Sequence, residues 1–192
     1  MISGGVRYEP RRLIELLQRG SLKRGTFTLA SGRTSHYYVD GRKVTLSADG
    51  AALIGAGVLE RLADRPEVRA VGGLTMGADP IVGATLALAG LMDRSDLRGF
   101  LVRKEAKGHG TGSRVEGPLE PGTTVAIVDD VATTGGSSLQ AVDAVEAMGC
   151  KVAVVIAVLD RLEGAAAAFA ARGLPFEALL TIRDLGVEPA TG

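Results

Sequence analysis

Two segments of the chain, residues 124–129 and 152–159, carry unbroken apolar runs where a strand with one wet face would alternate. A strand that is apolar on both sides is covered on both sides, which is the mark of a parallel sheet buried between helices. The residues between the two runs fit a crossover. Thr133 to Ser137 make a tight polar turn, Leu139, Val142, Val145 and Met148 recur at spacing three, and Gly149 stands where a helix stops. The same alternation extends outward. Ser47 suits the N-cap of a small-residue helix running to about Asp64. Residues 69–75 read as a strand ending in Met76-Gly77-Ala78-Asp79, and Pro80 fits the first turn of a helix that fades at Gly90. Residues 99–103 predict a further strand, and an alanine-rich helix precedes a last β segment at 176–182. The first 45 or so residues break the pattern, with a helix at 10–19 stopped by Gly20 and two β-rich pieces, 26–30 and 36–40, around Ser31-Gly32. The expectation is one α/β domain over residues 1–192: a parallel twisted sheet with helices on both faces and a small N-terminal cap (hood) over it. Ligands in such sheets sit beyond the carboxyl ends of the strands.

Composition narrows the classes of function. Lys and Arg number 22, as do Asp and Glu, so the chain has no net field to attract nucleic acid or an anionic membrane. Hydrophobic residues at 46% and charged residues at 23% exclude a disordered chain. Glycine, 27 of 192, is the outlier, and without a fixed period it points to loops built from backbone rather than to collagen. The single cysteine, Cys150, makes no internal disulfide and reads as a small buried residue at a strand start. No apolar segment follows Arg7, Arg11 and Arg12, and no aliphatic run approaches the roughly 20 residues of a membrane span, so a soluble cytoplasmic protein is expected.

The chemistry concentrates in Asp129, Asp130, Val131, Ala132, Thr133, Thr134, Gly135, Gly136 and Ser137. A buried strand delivers two carboxylates to its open end, and a Thr, Gly and Ser run then opens a helix. Backbone N–H groups at a helix N-terminus, with hydroxyls beside them, make a pocket for a phosphate dianion. The acids would repel that phosphate, so they should hold ribose hydroxyls or a Mg²⁺ ion. Phosphate, diol and metal together describe a ribose 5-phosphate. No Gly-Lys-Ser/Thr of a P-loop exists in the chain, and Ser113 replaces the third glycine of a dinucleotide fingerprint after Gly108-His109-Gly110.

This block resembles the phosphoribosyl-diphosphate (PRPP) signature of the type I phosphoribosyltransferases. Three further segments, in order, resemble the orotate phosphoribosyltransferases: residues 27–40, residues 73–80, and residues 102–117. The last of these looks like that family's mobile catalytic loop. The resemblance covers about residues 25–165 and ends on Asp160-Arg161. It implies a homodimeric enzyme that makes orotidine 5′-monophosphate and diphosphate from orotate and PRPP with Mg²⁺, in the pyrimidine (UMP) pathway. It implies PRPP contacts from Arg103, Lys104, Lys107 and His109 as well as from residues 129–137, with part of the loop reaching into the partner's site. Lys107, His109, Asp129 and Asp130 are the expected catalytic residues, and no direct protein ligand to Mg²⁺ is expected beyond the nearness of Asp129 and Asp130. Orotate, a planar carboxylated base, would meet Arg161 and Thr133, with a ring or backbone edge from Tyr37 and Tyr38; a core or interface role is the alternative for the tyrosines. Lys43 is a further candidate anion contact, or else part of a solvated turn. Ala30, Gly77 and Gly108 depart from the best-known enterobacterial pattern by replacing two basic residues and one acidic residue, so the leaving-group charge is expected to rest more heavily on Arg103, Lys104, Lys107 and His109. Transfer to a purine base, or PRPP sensing without catalysis, are the rival readings.

Overall fold

Unbroken apolar strands require cover on two sides, and the computed structural model, which describes residues 6–28, 34–92, 94–105 and 114–190, supplies it. The chain opens with α1 (Pro10–Gly20), then β1 (Leu22–Thr28) and β2 (Thr34–Val39) as an antiparallel pair, the short α2 (Arg42–Thr45) and α3 (Ala48–Arg61). The rest runs β3 (Ala70–Leu74), α4 (Asp79–Leu91), β4 (Arg98–Val102), β5 (Val115–Glu116), β6 (Thr124–Ala132), α5 (Gly136–Glu146), β7 (Lys151–Asp160), α6 (Ala165–Ala171) and β8 (Phe176–Thr181). A 3-10 turn, Ile182–Leu185, follows. Among the described residues the main sheet has the order β5-β4-β3-β6-β7-β8, parallel except for β5 against β4.

Residues 125–128 of β6 split by parity between the two faces. Ala126 and Val128 of β6 pack with Leu53, Ile54 and Val58 of α3 and Ile81 of α4. Val125 and Ile127 pack with Val142 and Val145 of α5 and Phe169 of α6. Ser47 caps α3 as expected, its hydroxyl oxygen accepting from Gly50 N–H at 3.2 Å.

The winding of the chain places the crevice. From β3 the chain passes through α4 to β4 on one side, and from β6 through α5 to β7 on the other. The direction reverses between β3 and β6, and a reversal of that kind opens a cleft at the carboxyl ends of the two strands.

The structure corrects several expected boundaries. The strand expected to stop at residue 129 continues to Ala132, because β7 beside it offers partners to the end, Val131 to Leu159 and Ala132 to Asp160. The first hairpin strand starts at Leu22 rather than at 26, since Leu22 pairs with Val39. Ser21, in the right-handed helical region, caps α1 in place of Gly20, which is its last residue. The expected turn Ser31-Gly32 lies outside the described residues. β5 was not foreseen, for two residues carry no period to read. The first 45 residues form a separate two-stranded sheet and helix, yet they share a core with the rest: Leu13, Leu17, Tyr37 and Val39 sit in the cluster that holds Ile156, Leu159 and Leu180. At roughly 1.5–3 kcal/mol per fully buried large apolar side chain, Leu13 and Leu17 alone anchor α1 firmly.

Candidate active site

Asp129 and Asp130 stand where β6 outruns β3, whose pairing with it stops at Ile127. Asp129 is buried at 7% exposure. Its Oδ2 accepts from the Ser138 hydroxyl at 2.9 Å and its Oδ1 from the Asp130 N–H at 3.0 Å. Burial, and next the charge of Asp130, push its carboxyl up to about 7. Asp130 is raised as well, chiefly by burial. Two carboxylates this close and this dry call for hydroxyl donors, a proton or a cation. Backbone closes on them from both sides. A Cβ at Gly77, in the turn after β3, would stand 2.7 Å from Asp130 Oδ1 and 2.9 Å from Asp129 Oδ1, and one at Gly41 would stand 2.8 Å from Asp130 Oδ2. Gly77 therefore lets the β3 turn lie directly against the acids.

Residues 131–137 line an open cavity of about 310 Å³ together with Asp129 and Gln140. Gly135 sits at the N-cap of α5 with φ +83°, and a Cβ there would meet the Phe169 ring at 3.0 Å, so backbone and packing both demand glycine. Leu139 N–H is the first to find an intrahelical partner, the Gly135 carbonyl. The amides ahead of it face the opening of the helix, as an anion requires. The Ser138 hydroxyl is turned inward to Asp129, which ties the cradle to the acid pair.

A second cavity, about 520 Å³, is lined by Thr75, Met76, Leu101, Arg103, Lys104, Glu105 and Glu116. Arg103 and Lys104 leave the end of β4 exposed, with Arg103 Nη1 3.5 Å from Glu116 Oε1. Lys107 and His109 lie outside the described residues, as do Ala30 and Gly108. Lys43 is exposed and borders a third cavity of about 600 Å³ with Asp40, Arg42, Leu46, Met76, Asp79 and Pro80.

Arg161 follows β7 and is buried. Its backbone N–H donates to the Ala132 carbonyl at 2.9 Å, and Ala165 N–H donates to that of Thr133 at 3.1 Å, so this segment is laced to the cradle. Its guanidinium lies 4.8 Å over the Tyr37 ring and donates from Nε to Glu163 Oε1 at 3.0 Å. Burial and the hydrogen bond to Glu163 raise the Tyr37 phenol above its ordinary value. Tyr38 points the other way along β2: it is 39% exposed and rests on Phe27, ring centroids 5.8 Å apart. Of the two tyrosines, Tyr37 alone joins Arg161.

Comparison with known proteins decides the lineage. The chain is 53% identical over 182 residues to an orotate phosphoribosyltransferase of Rhodopirellula baltica, spanning 92% of this chain and 94% of that one. An orotate phosphoribosyltransferase of Corynebacterium glutamicum is 43% identical over 188 residues, 97% of this chain and 100% of the relative. The chain belongs to the orotate phosphoribosyltransferase family. No family model matches it. Its fold aligns with the crystal structure of the Mycobacterium tuberculosis orotate phosphoribosyltransferase in complex with PRPP at a TM-score of 0.79 and 40% identity, over 93% of this chain and 99% of that one.

As in its phosphoribosyltransferase relatives, the sheet is mostly parallel with helices on both faces, as the sequence led one to expect. The acid pair, the cradle, Thr133 and Arg161 gather at one end of β6 and β7, while Arg103 and Lys104 stand across the crevice at the end of β4. Two residues were missed. Ser138 lies one position past the polar run and binds Asp129. Glu163 lies two positions past Arg161, and its only signal was an acid beside an arginine at the end of an apolar strand. No described helix is long and apolar enough to cross a membrane.

Proposed function

We propose that this chain transfers the ribose 5-phosphate group from PRPP to orotate, yielding orotidine 5′-monophosphate and diphosphate. The reading is carried by one observation: a backbone-built anion cradle, an acid pair and a buried arginine converge at the switch point of an orotate phosphoribosyltransferase fold. The PRPP complex of the Mycobacterium tuberculosis relative supports it.

The cradle of residues 131–137 takes the 5′-phosphate on its N–H groups and hydroxyls. Asp129 and Asp130 accept from the ribose hydroxyls, holding the sugar as its anomeric carbon parts from diphosphate oxygen and bonds to orotate nitrogen. Positive charge develops on the ribose in that step, and fixed carboxylates beneath it stabilise the charge where water is excluded. Arg103 and Lys104, with Lys107 and His109, take the diphosphate charge. Arg161 and Thr133 receive the base. Among the described residues no cluster of three or more His, Cys, Asp or Glu is placed to hold a metal ion. Asp129 and Asp130 would stand beside a Mg²⁺ brought in with PRPP, which would supply charge neutralisation for the leaving group. A homodimer sharing the 102–117 loop completes the reading, with sedimentation as its check. A cytoplasmic setting suits the lone Cys150.

The test is the loss of orotate absorbance on mixing with PRPP and Mg²⁺, repeated without each component. Loss that needs all three supports the reaction. Turnover of hypoxanthine but not of orotate would replace it with purine-base transfer, and tight binding of RNA or DNA without product would replace it with a regulator.

A further inference from the structure

Past the end of β7 the chain folds back on itself. Asp160 Oδ1 accepts from Leu162 N–H at 2.8 Å, and Leu162 adopts φ +58°, a left-handed conformation that residues with side chains disfavour. Unusual backbone of this kind collects where geometry serves a site. Here it returns Glu163 to Arg161, and both side chains are almost fully covered, 2% and 8% exposed. A single oxygen, Glu163 Oε1, accepts from Arg161 Nε at 3.0 Å and from the Tyr37 hydroxyl at 2.8 Å, and lies 2.8 Å from Arg161 Nη2. The Tyr37 ring sets the plane of the guanidinium and the carboxylate sets its rotation. With Nε and Nη2 both turned to Glu163, Nη1 is what remains for a ligand. A fork already fixed loses little freedom when it binds.

We propose that Glu163, together with the Tyr37 hydroxyl, is a positioning residue for base recognition. It holds the Arg161 fork in the one orientation that meets an oxygen of the planar anionic acceptor, and it acts through Arg161 rather than on substrate. The inference rests on the orotate reading of Arg161. It separates base binding from PRPP binding, because neither residue belongs to the cradle.

Steady-state kinetics, varying orotate and PRPP separately, tests it with the wild type, Tyr37→Phe, Glu163→Gln, Arg161→Ala and the Arg161→Ala/Glu163→Gln double variant. Glu163→Gln should raise the KM for orotate about tenfold, the factor that 1.4 kcal/mol represents. Tyr37→Phe should raise it by a smaller factor, and kcat and the KM for PRPP should hold within about twofold. In the Arg161→Ala background, Glu163→Gln should add nothing, the signature of two residues acting as one unit. Equal rises in both KM values, or an additive effect in the double variant, would mean an ion pair that merely fastens the hairpin to β7, and would overturn the proposal. If Glu163→Gln does not fold, Tyr37→Phe, which removes one oxygen, decides by the same KM split. A wild type that does not consume orotate removes the functional reading and this inference together; an active wild type with unchanged orotate KM in both variants removes the inference alone.

Discussion

Replacing Asp129 by Asn should stabilise the protein at pH 8 while removing most of its turnover. Burial and the neighbouring Asp130 charge raise the Asp129 carboxyl from 3.8 to about 7. Between those two values the folded chain retains a proton that the unfolded chain has released, so stability falls as pH rises through the window. Above about 7 the loss is complete, and at 1.36 kcal/mol per pH unit it reaches at most about 4 kcal/mol. Asparagine stays neutral throughout. Its one oxygen can take the Asp130 N–H, and its NH₂ can meet the Ser138 hydroxyl, which then accepts instead of donating. Allowing about 1 kcal/mol for a less favourable hydrogen bond, a net gain of at most roughly 3 kcal/mol is expected at pH 8. Urea unfolding of the wild type and the variant at pH 4, 6 and 8, without divalent cations, measures this as a difference in which titrating groups away from the Asp129–Asp130 pair cancel. The gap should be small at pH 4 and widen toward pH 8, while kcat/KM drops by about two orders of magnitude or more. A variant less stable than the wild type at pH 8, or a gap that does not change with pH, would refute the account of the acid pair.

Gly77→Ala puts a methyl group 2.7 Å from Asp130 Oδ1, and a displacement of the acids should lower kcat/KM roughly 10²-fold with little change in Tm; unaltered kinetics would contradict it. Gly135→Ala must bear φ +83° and press on Phe169, so calorimetry should show a loss of about 1–2 kcal/mol accompanied by weaker PRPP binding. Lys107→Ala should cost roughly 10²–10³ in kcat if the loop contributes a leaving-group cation, and a near-normal kcat would strip that role from it.

The parts of the fold that were legible were those governed by local rules. Continuous burial of β6 and β7 left an apolar run, and a cavity walled by glycine and small hydroxyl residues left the block at 129–137. What was not legible depends on partners distant in sequence. β6 extends to Ala132 because β7 lies beside it, and β5 exists because β4 offers it two pairing positions. Tyr37 meets Glu163 across 126 residues, a closeness no spacing encodes. The Arg161–Glu163 pair is near in sequence but depends on Leu162 turning left-handed, where a reader expects glycine or asparagine.

The two halves of the crevice are made of different materials. In the proposed reading main chain and small residues hold the sugar phosphate, and little short of a glycine substitution alters them. Three large side chains from two separate parts of the chain, Tyr37 and the Arg161–Glu163 turn, stand at the proposed base end. A scaffold divided in this way can exchange its nucleobase preference through a handful of surface-independent substitutions while its activated-sugar donor stays the same. Descendants of such a chain are free to diversify at one end of the reaction and are held constant at the other.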